Sequence, residues 1–404
     1  MTPVSGNLKV EFYNSNPSDT TNSINPQFKV TNTGSSAIDL SKLTLRYYYT
    51  VDGQKDQTFW CDHAAIIGSN GSYNGITSNV KGTFVKMSSS TNNGAGAGAM
   101  ILTAMQDAIG RTPIFKFTRK DYPIPLKSAI YAKLEHLNPG GSVKDRLGQY
   151  LIKEAFRTHK ITSTTTIIEP TAGNTGIALA LVAIKHHLKT IFVVPEKFSV
   201  EKQQIMRALG ALVINTPTSE GISGAIKKSK ELAESIPDSY LPLQFENPDN
   251  PAAYYHTLAP EIVKELGTNF TSFVAGIGSG GTFAGTAKYL KERIPNIRLI
   301  GVEPEGSILN GGEPGPHEIE GIGVEFIPPF FANLDIDGFE TISDEEGFSY
   351  TRKLAKKNGL LVGSSSGAAF AAALKEVQRL PEGSQVLTIF PDMADRYLSK
   401  GIYS

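Results

Sequence analysis

The sequence predicts an α/β body with parallel sheets at residues 100–404, preceded by an all-β segment at residues 1–93. From residue 100 onward, short apolar runs rich in β-formers alternate with helical patterns, which is typical of parallel α/β architecture. Before residue 93, β-branched and aromatic runs are separated by Asn, Ser, Gly and Pro. The run GAGAGA at 94–99 predicts a flexible linker between the two pieces.

Strands and helices are expected to follow one another along the α/β body. The predicted strands are residues 166–169, 190–194, 211–215, 272–275, 298–302 and 385–389. The predicted helices are residues 175–187, 200–209, 224–234, 281–293 and 367–380. In the N-terminal segment the predicted strands are residues 7–13, 27–32 and 43–51. Ligands on parallel sheets lie beyond the carboxyl ends of the strands, where loops lead into helices.

The composition excludes several classes of protein. The chain has 404 residues, of which 40% are hydrophobic, and its 39 basic and 39 acidic residues cancel. No basic patch favours a nucleic-acid partner, and no apolar run is long enough to cross a membrane. The single cysteine, Cys61, excludes an internal disulfide and a cysteine-based metal cluster. The first residues have no apolar signal core, so a cytoplasmic location is expected.

Lys144 stands in the run NPGGSVKDR at residues 138–146. A lysine just after a Gly-Gly turn, among small residues, is the kind of amine that can carry a Schiff base with a carbonyl cofactor. Taken alone, such a motif is more often explained by an ordinary surface lysine.

A glycine-rich loop at 276–282 follows one predicted strand and opens a predicted helix. Its backbone N–H groups, free of large side chains and at a helix N-terminus, would form an anion cradle. The loop also fits the dinucleotide pattern G-x-G-x-x-G, with Glu303 where a ribose-binding acid would be expected. A structural turn without a ligand is the third interpretation. The residues expected to hold a phosphate are Gly278, Ser279, Gly280, Gly281 and Thr282.

Two further loops lie between a predicted strand and a helix. Residues 169–176 (EPTAGNTG) present hydroxyl and amide groups at a helix start, which suits a substrate carboxylate. Residues 363–367 (GSSSG) place Ser365 where a hydroxyl could face a pyridine nitrogen. The simpler alternative for each loop is a Thr, Asn or Ser that only caps the helix. The candidates in the first loop are Thr171, Ala172, Gly173, Asn174 and Thr175.

The order and spacing of these four motifs resemble the fold-type II pyridoxal phosphate (PLP) family, in the branch of cysteine synthase and cystathionine β-synthase. The resemblance covers essentially all of residues 100–404. It implies two α/β domains, as in the tryptophan synthase β subunit, and a homodimer. The smaller domain, at roughly 137–250, would close over the substrate and exclude water.

The resemblance implies a role for each motif. Lys144 would form the Schiff base with PLP and later act as general base at the α-carbon of the substrate. The glycine loop would hold the phosphate, Asn174 would bond the phenolic oxygen, and Ser365 would bond the pyridine nitrogen. Ala172 departs from the family, which usually has a serine there. The residues implied to receive the substrate carboxylate are Thr171, Thr175 and Gln244.

The resemblance predicts β-replacement on O-acetyl-L-serine or L-serine, and Glu325 bears on the sulfur donor. Cystathionine β-synthases have an acid at this position of the run EGIGVEFIP, whereas sulfhydrylases commonly have glycine. A carboxylate there could pair with the ammonium of homocysteine, giving L-cystathionine, whereas sulfide would give L-cysteine. Tyr255 also matches a tyrosine of the cystathionine β-synthase pattern. A plain O-acetylserine sulfhydrylase and a serine or threonine dehydratase stay open, and Glu325 could be a simple loop acid.

Residues 1–93 resemble the N-terminal part of a family 3 carbohydrate-binding module of the cellulosome-scaffold type. The match stops well short of a whole module, so no complete calcium site is expected. A half sandwich leaves open strand edges, so the segment is expected to be a tag, or to contact cellulose only when completed. The resemblance carries Asp62, His63 and Tyr73 onto the cellulose-docking strip, and Thr50 and Asp52 onto part of a calcium site.

Two other classes of function stay open. A nicotinamide-dependent oxidoreductase would depend on the glycine loop and Glu303. A non-catalytic binding protein would have the β segment as its functional part. The expected cofactor is PLP, and the expected partners are amino-acid substrates with a thiol or sulfide.

Overall fold

In this computed structural model the described residues are 8–14, 26–32, 65–67, 73–75, 102, 104–331 and 334–404. The chain divides into two compact units, Met1–Met100 and Ile101–Ser404. In the first unit, strands pair antiparallel in two hairpin-like pairs, β1 with β2 and β3 with β4. Their bounds are β1 (Leu8–Asn14), β2 (Pro26–Asn32), β3 (Ala65–Ile67) and β4 (Tyr73–Gly75).

The predicted strands at 7–13 and 27–32 are confirmed by β1 and β2. Tyr73 begins β4, and its place on a cellulose strip stays a prediction. The other predictions for this segment fall outside the described residues: the strand at 43–51, the linker at 94–99, and Thr50, Asp52, Asp62 and His63.

The second unit alternates strands and helices along the chain. Its strands are β5 (Ile114–Phe117), β6 (Ala129–Leu134), β7 (Thr166–Pro170), β8 (Lys189–Pro195), β9 (Leu212–Thr216), β10 (Ser239–Tyr240), β11 (Ser272–Gly276), β12 (Arg298–Pro304), β13 (Gly338–Ile342) and β14 (Gln385–Phe390). Its helices are α1 (Lys144–Arg157), α2 (Asn174–Lys185), α3 (Val200–Ala208), α4 (Gly221–Ser235), α5 (Asp249–His256), α6 (Leu258–Leu266), α7 (Gly281–Arg293), α8 (Asp344–Asn358) and α9 (Ser364–Arg379). Within the described residues, no helix is both long and apolar enough to cross a membrane.

These strands form two sheets. The large sheet has six strands in the order β13-β12-β11-β14-β6-β5, all parallel except for β5, which runs antiparallel to β6. The small sheet has four parallel strands in the order β10-β7-β8-β9. The small sheet lies within the segment at 137–250 that was predicted as the smaller domain.

The large sheet is buried on both faces. Along β11, Phe273 and Ala275 belong to one hydrophobic cluster, and Val274 between them belongs to another. Successive side chains of a strand point to opposite faces, so the alternation shows apolar packing on each side. Burial on both faces is typical of parallel sheets. It explains why this strand reads as a continuous apolar run.

All the predicted strands and helices of the α/β body are confirmed, with ends that differ by at most three residues. Helix α1, which begins at Lys144 itself, was not predicted from the sequence. Its buried face is regular, with Leu147, Leu151 and Ala155 at helical spacing. The Gly-Gly turn drew attention to a loop, whereas the helix starts directly after that turn. The elements that were not predicted are β5, β6, β10, β13, α1, α5, α6 and α8.

Helices α1 and α2 pack closely because Gly148 has no side chain. A Cβ at Gly148 would lie 2.7 Å from the backbone carbonyl carbon of Ala178 and 2.9 Å from its Cβ. Both distances are shorter than van der Waals contact, so only glycine permits this approach. Since α1 begins at Lys144 and α2 begins at Asn174, the contact fixes the distance between two candidate site residues.

The variant Gly148→Val is expected to lower the free energy of unfolding by about 1–3 kcal/mol, because overpacking forces the two helices apart. Urea denaturation of both proteins measures the difference. Gln204→Val, on an exposed position of α3, is the matched control for the helix propensity of valine and should change stability by less than about 0.7 kcal/mol. Equal stability of the two variants would contradict the packing argument.

Candidate active site

A pocket lies at the carboxyl edge of the large sheet, as expected for ligand sites on parallel sheets. Its wall combines the start of α1, the loop between β11 and α7, residues 321–322 and the end of β14. Lys144 and the glycine loop, which are far apart in sequence, therefore meet at one site. The lining residues used below are Lys144, Gly278, Ser279, Gly280, Thr282 and Gly321.

Lys144, the first residue of α1, is partly exposed at this pocket. Desolvation lowers the pKa of its amine to about 8; the Lys202 cation also lowers it, and the Asp392 carboxylate opposes them. A larger fraction of this amine is therefore unprotonated near neutral pH than for an ordinary lysine. The unprotonated form is the one that acts as nucleophile or base.

The glycine loop is shaped by the close approach of neighbouring groups. Gly280 has a φ of +86°, in the region that favours glycine. A Cβ at Gly278 would collide with the carbonyl oxygen of Gly321, and a Cβ at Gly281 would collide with the Asn250 amide. The loop leads into α7, where the first N–H groups of the helix have no intrahelical partner. These groups can bind an anion.

Buried polar groups next to the loop add to this cradle. The hydroxyls of Thr282 and Tyr254 are neighbours, and burial raises the pKa of the Tyr254 phenol. Neither hydroxyl has a hydrogen-bond partner of good geometry in the described part of the chain. The Asn250 amide donates to Ser279 Oγ over 3.1 Å. A phosphate monoester, with several acceptor oxygens, fits a site with helix N–H groups and unpartnered hydroxyls.

Asn174, the first residue of α2, is held from two sides. Its Nδ2 donates to Asp392 Oδ2 over 2.7 Å, and its Oδ1 accepts from Arg396 Nη1 over 2.6 Å. Asp392 and Arg396 follow β14 of the large sheet, whereas α2 follows β7 of the small sheet. The orientation of the Asn174 amide is therefore set across the gap between the two sheets.

Thr175 and Gln244, both expected at a carboxylate site, meet directly. The Thr175 hydroxyl donates to Gln244 Oε1 over 2.7 Å. The backbone of Gln244 is held by Glu169, whose carboxylate accepts the N–H groups of Leu243 over 2.7 Å and of Gln244 over 3.0 Å. Burial raises the pKa of Glu169 to about 8, against the effect of these two hydrogen bonds. Glu169 is thus a buried support of this subsite that the sequence analysis missed.

The loop that precedes α2 has its own internal support. The hydroxyl of Thr171 accepts the N–H groups of Gly173 over 3.0 Å and of Gly176 over 3.3 Å. Gly173 has a φ of +132°, and a Cβ there would collide with the aliphatic stem of Lys202. Ala172 lies between these anchored positions. Thr171 thus caps the loop, and its hydroxyl proton remains free for a further acceptor.

Ser365 is buried in the first turn of α9. Its Oγ lies 3.9 Å from the position that a Cβ at Gly321 would take, and Gly321 lines the pocket. The predicted hydroxyl therefore lies next to a residue of the pocket wall.

The structure does not bring Tyr255 into this pocket. Its hydroxyl donates to Glu292 over 2.7 Å, and its ring packs edge-on against Tyr289. The substrate contact expected for Tyr255 is therefore not supported, because its hydroxyl has a partner on the outer side of α7. Glu325 is exposed, and its Oε2 lies 3.7 Å from the position of a Cβ at Gly221, the first residue of α4.

The dinucleotide interpretation of the glycine loop is wrong, because Glu303 is occupied by its own protein. It is buried, and its carboxylate accepts the N–H groups of Leu309 over 2.9 Å and Asn310 over 3.0 Å. The Thr341 hydroxyl donates to it over 3.2 Å. Both carboxylate oxygens are thus engaged, and the buried side chain is not accessible to a ribose hydroxyl. Among the described residues there is also no group of three His, Cys, Asp or Glu side chains that could hold a metal ion.

A buried charged group near Lys144 was also not predicted from the sequence. Lys202 on α3 lies 2.8 Å from Glu320 and donates to the Tyr397 hydroxyl over 2.9 Å. Only 2% of the Lys202 side chain and 8% of the Glu320 side chain are exposed. The position of Asp392, three residues after the predicted strand at 385–389, was a signal that could have drawn attention to this region.

Competitive labelling of the ligand-free protein should give the Lys144 amine an apparent pKa of about 8. Because only the unprotonated amine reacts, labelling should increase up to about this pH and then level off. A model lysine peptide in the same tube, with a pKa of about 10.4, is the internal standard. Parallel titration of Lys144 and the peptide would show that the pocket does not desolvate the amine.

Comparisons with known proteins agree with this site. Residues 105–392 match the family described as pyridoxal-phosphate dependent enzyme, and residues 9–95 match the family described as cellulose binding domain. A cysteine synthase of Helicobacter pylori is 98% identical over 305 residues, which are 76% of this chain and 100% of that protein. An O-acetylserine dependent cystathionine beta-synthase of Bacillus subtilis is 52% identical over 303 residues, 75% of this chain and 98% of that protein.

A solved structure agrees with the sequence matches. The crystal structure of an O-acetylserine dependent cystathionine beta-synthase from Helicobacter pylori has 93% sequence identity and a TM-score of 0.75. It covers 76% of this chain and 100% of that chain. The chain therefore belongs to the pyridoxal-phosphate-dependent enzymes of the cysteine synthase and cystathionine β-synthase type, with a cellulose-binding-domain segment ahead of the enzyme.

Proposed function

We propose that the enzyme replaces the β-substituent of O-acetyl-L-serine or L-serine with the sulfur of homocysteine, giving L-cystathionine, and that it uses sulfide as a second donor, giving L-cysteine. The observation that carries the choice of homocysteine is the Glu325 carboxylate. It is exposed four residues after Gly321, which lines the pocket, and it has no ion-pair partner among the described residues. An acid in this position can receive the ammonium group of an amino-acid thiol.

The cofactor is held, in this proposal, by the residues that surround the pocket. Lys144 would hold PLP through its amine, and the glycine loop, which ends at Thr282, would hold its phosphate. The Asn174 amide nitrogen carries a second hydrogen, which it would donate to the phenolic oxygen while keeping its bond to Asp392. Ser365 would donate to the ring nitrogen. When bound, PLP withdraws electrons from the α-carbon of an amino acid, so that a β-substituent can leave.

The substrate is oriented by its carboxylate. Thr175 and Gln244 already share a hydrogen bond and can open it to receive the two oxygens. The free hydroxyl proton of Thr171 adds a third donor. This subsite holds the α-carbon near Lys144, whose amine has a lowered pKa and can take up the α-proton.

Four wider expectations of the sequence remain proposals. We infer a homodimer and a cytoplasmic location from the family resemblance and the sequence. Closure of the segment at 137–250 over the substrate would exclude water from the pocket. The N-terminal segment would contact cellulose only when the rest of its module is supplied.

A product assay by mass spectrometry tests the proposed reaction. O-acetyl-L-serine or L-serine is offered with homocysteine or sulfide, and cystathionine is expected as the faster product. Lys144→Ala should abolish both products. A keto acid as main product in the presence of thiol would establish a dehydratase instead, and cysteine alone would establish a plain sulfhydrylase.

The variant Glu325→Gln keeps the size of the side chain and removes its charge. Its kcat/KM for homocysteine should fall about 2–5-fold, the effect of losing one exposed ion pair. The rate with sulfide should not change, because sulfide has no ammonium group. Glu318→Gln, at another exposed acid of the same region, is the control. Equal loss with both donors would argue against recognition of homocysteine by Glu325.

The variant Gly281→Ala tests the phosphate cradle. Its Cβ would collide with Asn250 and displace the loop, so the affinity for PLP should fall at least about tenfold, or about 1.4 kcal/mol. Cofactor content after dialysis measures this loss. Gly315→Ala, where a Cβ meets only Gly306 Cα at 3.5 Å, should retain the cofactor. Full retention by Gly281→Ala would refute the cradle.

A further inference from the structure

A chain of buried polar contacts leads from α3 to the Asn174 amide. Lys202 Nζ donates to the Tyr397 hydroxyl over 2.9 Å, and that hydroxyl donates to Asp392 Oδ2. The same Asp392 oxygen accepts Asn174 Nδ2 over 2.7 Å. Lys202 is thus connected to Asn174 through two side chains that both follow β14. We name these four residues the Lys202 chain.

Lys202 also reaches the neighbourhood of Asn174 by packing. Its aliphatic stem covers Gly173, which directly precedes Asn174 and has no room for a Cβ. The ammonium lies 4.3 Å from the centre of the Tyr397 ring as well as near its hydroxyl. Lys202 therefore fixes both the backbone before Asn174 and the partners of its side chain.

The positive charge of Lys202 is balanced by the carboxylate of Glu320, which follows β12 of the large sheet. Glu320 lies 2.8 Å from Lys202 and also pairs with Lys400. Burial opposes ionisation of Glu320, but these two cations hold its pKa below the usual value. Lys202 belongs to the layer of the small sheet and Glu320 to the layer of the large sheet. Their buried ion pair opposes separation of the two layers, because an unpaired buried charge is costly.

The N-terminal start of α3 contacts residues 396–399, in the segment that follows β14. Ser199 caps α3 by accepting the N–H of Lys202 over 3.1 Å and donates its hydroxyl to the Arg396 carbonyl over 2.7 Å. Glu201 accepts the N–H of Ser399 over 2.9 Å. Both contacts hold α3 in place, but only the contact between Glu201 and Ser399 involves no partner of Asn174. A change at Glu201 can therefore weaken the docking of α3 without touching the partners of Asn174.

We propose that Lys202 is a positioning residue: paired with Glu320, it locks the small-sheet layer against the large-sheet layer and, through Tyr397 and Asp392, sets the direction of the Asn174 amide toward the cofactor ring. This role rests on the proposed function of Asn174. The proximity of Lys202 to Lys144 supports it, since the same cation helps to lower the pKa of the Lys144 amine.

The test compares Lys202→Met with Lys202→Arg and Glu201→Gln. Methionine keeps much of the stem and removes the charge, and Glu320 retains Lys400 as partner. Arginine keeps the charge. Glu201→Gln weakens docking of α3 at the same interface and leaves the Lys202 chain intact.

In the cofactor-free protein, Lys202→Met should increase hydrogen exchange at residues 171–176 and 391–400, with α8 unchanged. In the holoenzyme it should shift the visible absorbance band of the bound cofactor and lower kcat about 10–100-fold, as expected for a misplaced catalytic contact. The KM for the first substrate should change much less. Lys202→Arg should restore most of the rate and the wild-type band, and Glu201→Gln should keep both.

A wild-type band and kcat in Lys202→Met would overturn the proposal, and so would equal damage in Lys202→Met and Lys202→Arg. If Lys202→Met does not fold, Glu320→Gln serves the same comparison, because it removes the partner that holds Lys202 in place. If the wild-type enzyme forms neither sulfur product, the proposed function fails, and the exchange experiment still decides whether Lys202 positions the Asn174 loop.

Discussion

The active site depends on charged side chains that are buried where the two sheets meet. Removing a charge from water costs several kcal/mol, so a buried charge is stable only beside an opposite one. Here the partners come from different layers: Lys202 follows the small sheet, whereas Glu320 and Asp392 follow strands of the large sheet. The arrangement that satisfies these charges is therefore also the arrangement that assembles the pocket.

Desolvation also prepares the reacting amine. Burial disfavours the charged form of a group, so it lowers the pKa of Lys144 to about 8 and raises the pKa of Glu169 to about 8. The first effect supplies a base near neutral pH. The second shifts the Glu169 carboxyl behind Gln244 toward its neutral form, which repels a substrate carboxylate less than the charged form does. One physical cause thus acts on the base and on the support of the carboxylate subsite.

The buried strands and two walls of the pocket could be predicted from the sequence, because each is encoded in a short run of residues. Continuous apolar runs identified the buried parallel strands, and the Gly-Gly-Ser-Val-Lys run and the glycine loop identified two walls of the pocket. The partners of Asn174 could not be predicted, because Asp392 and Arg396 lie 218 and 222 residues away along the chain. Tyr255 was chosen by motif, yet its neighbour Tyr254 is the buried one, since adjacent helical residues face different directions.

The proposed selection of homocysteine needs more than a carboxylate at the right position. An exposed ion pair contributes at most about 1 kcal/mol, which is about a fivefold preference. A larger preference requires that the pair form in a place shielded from water. Glu320 lies five residues before Glu325 and is held by Lys202. The buried ion pair thus anchors the segment that leads to Glu325, so the strength of the proposed donor selection should depend on this ion pair.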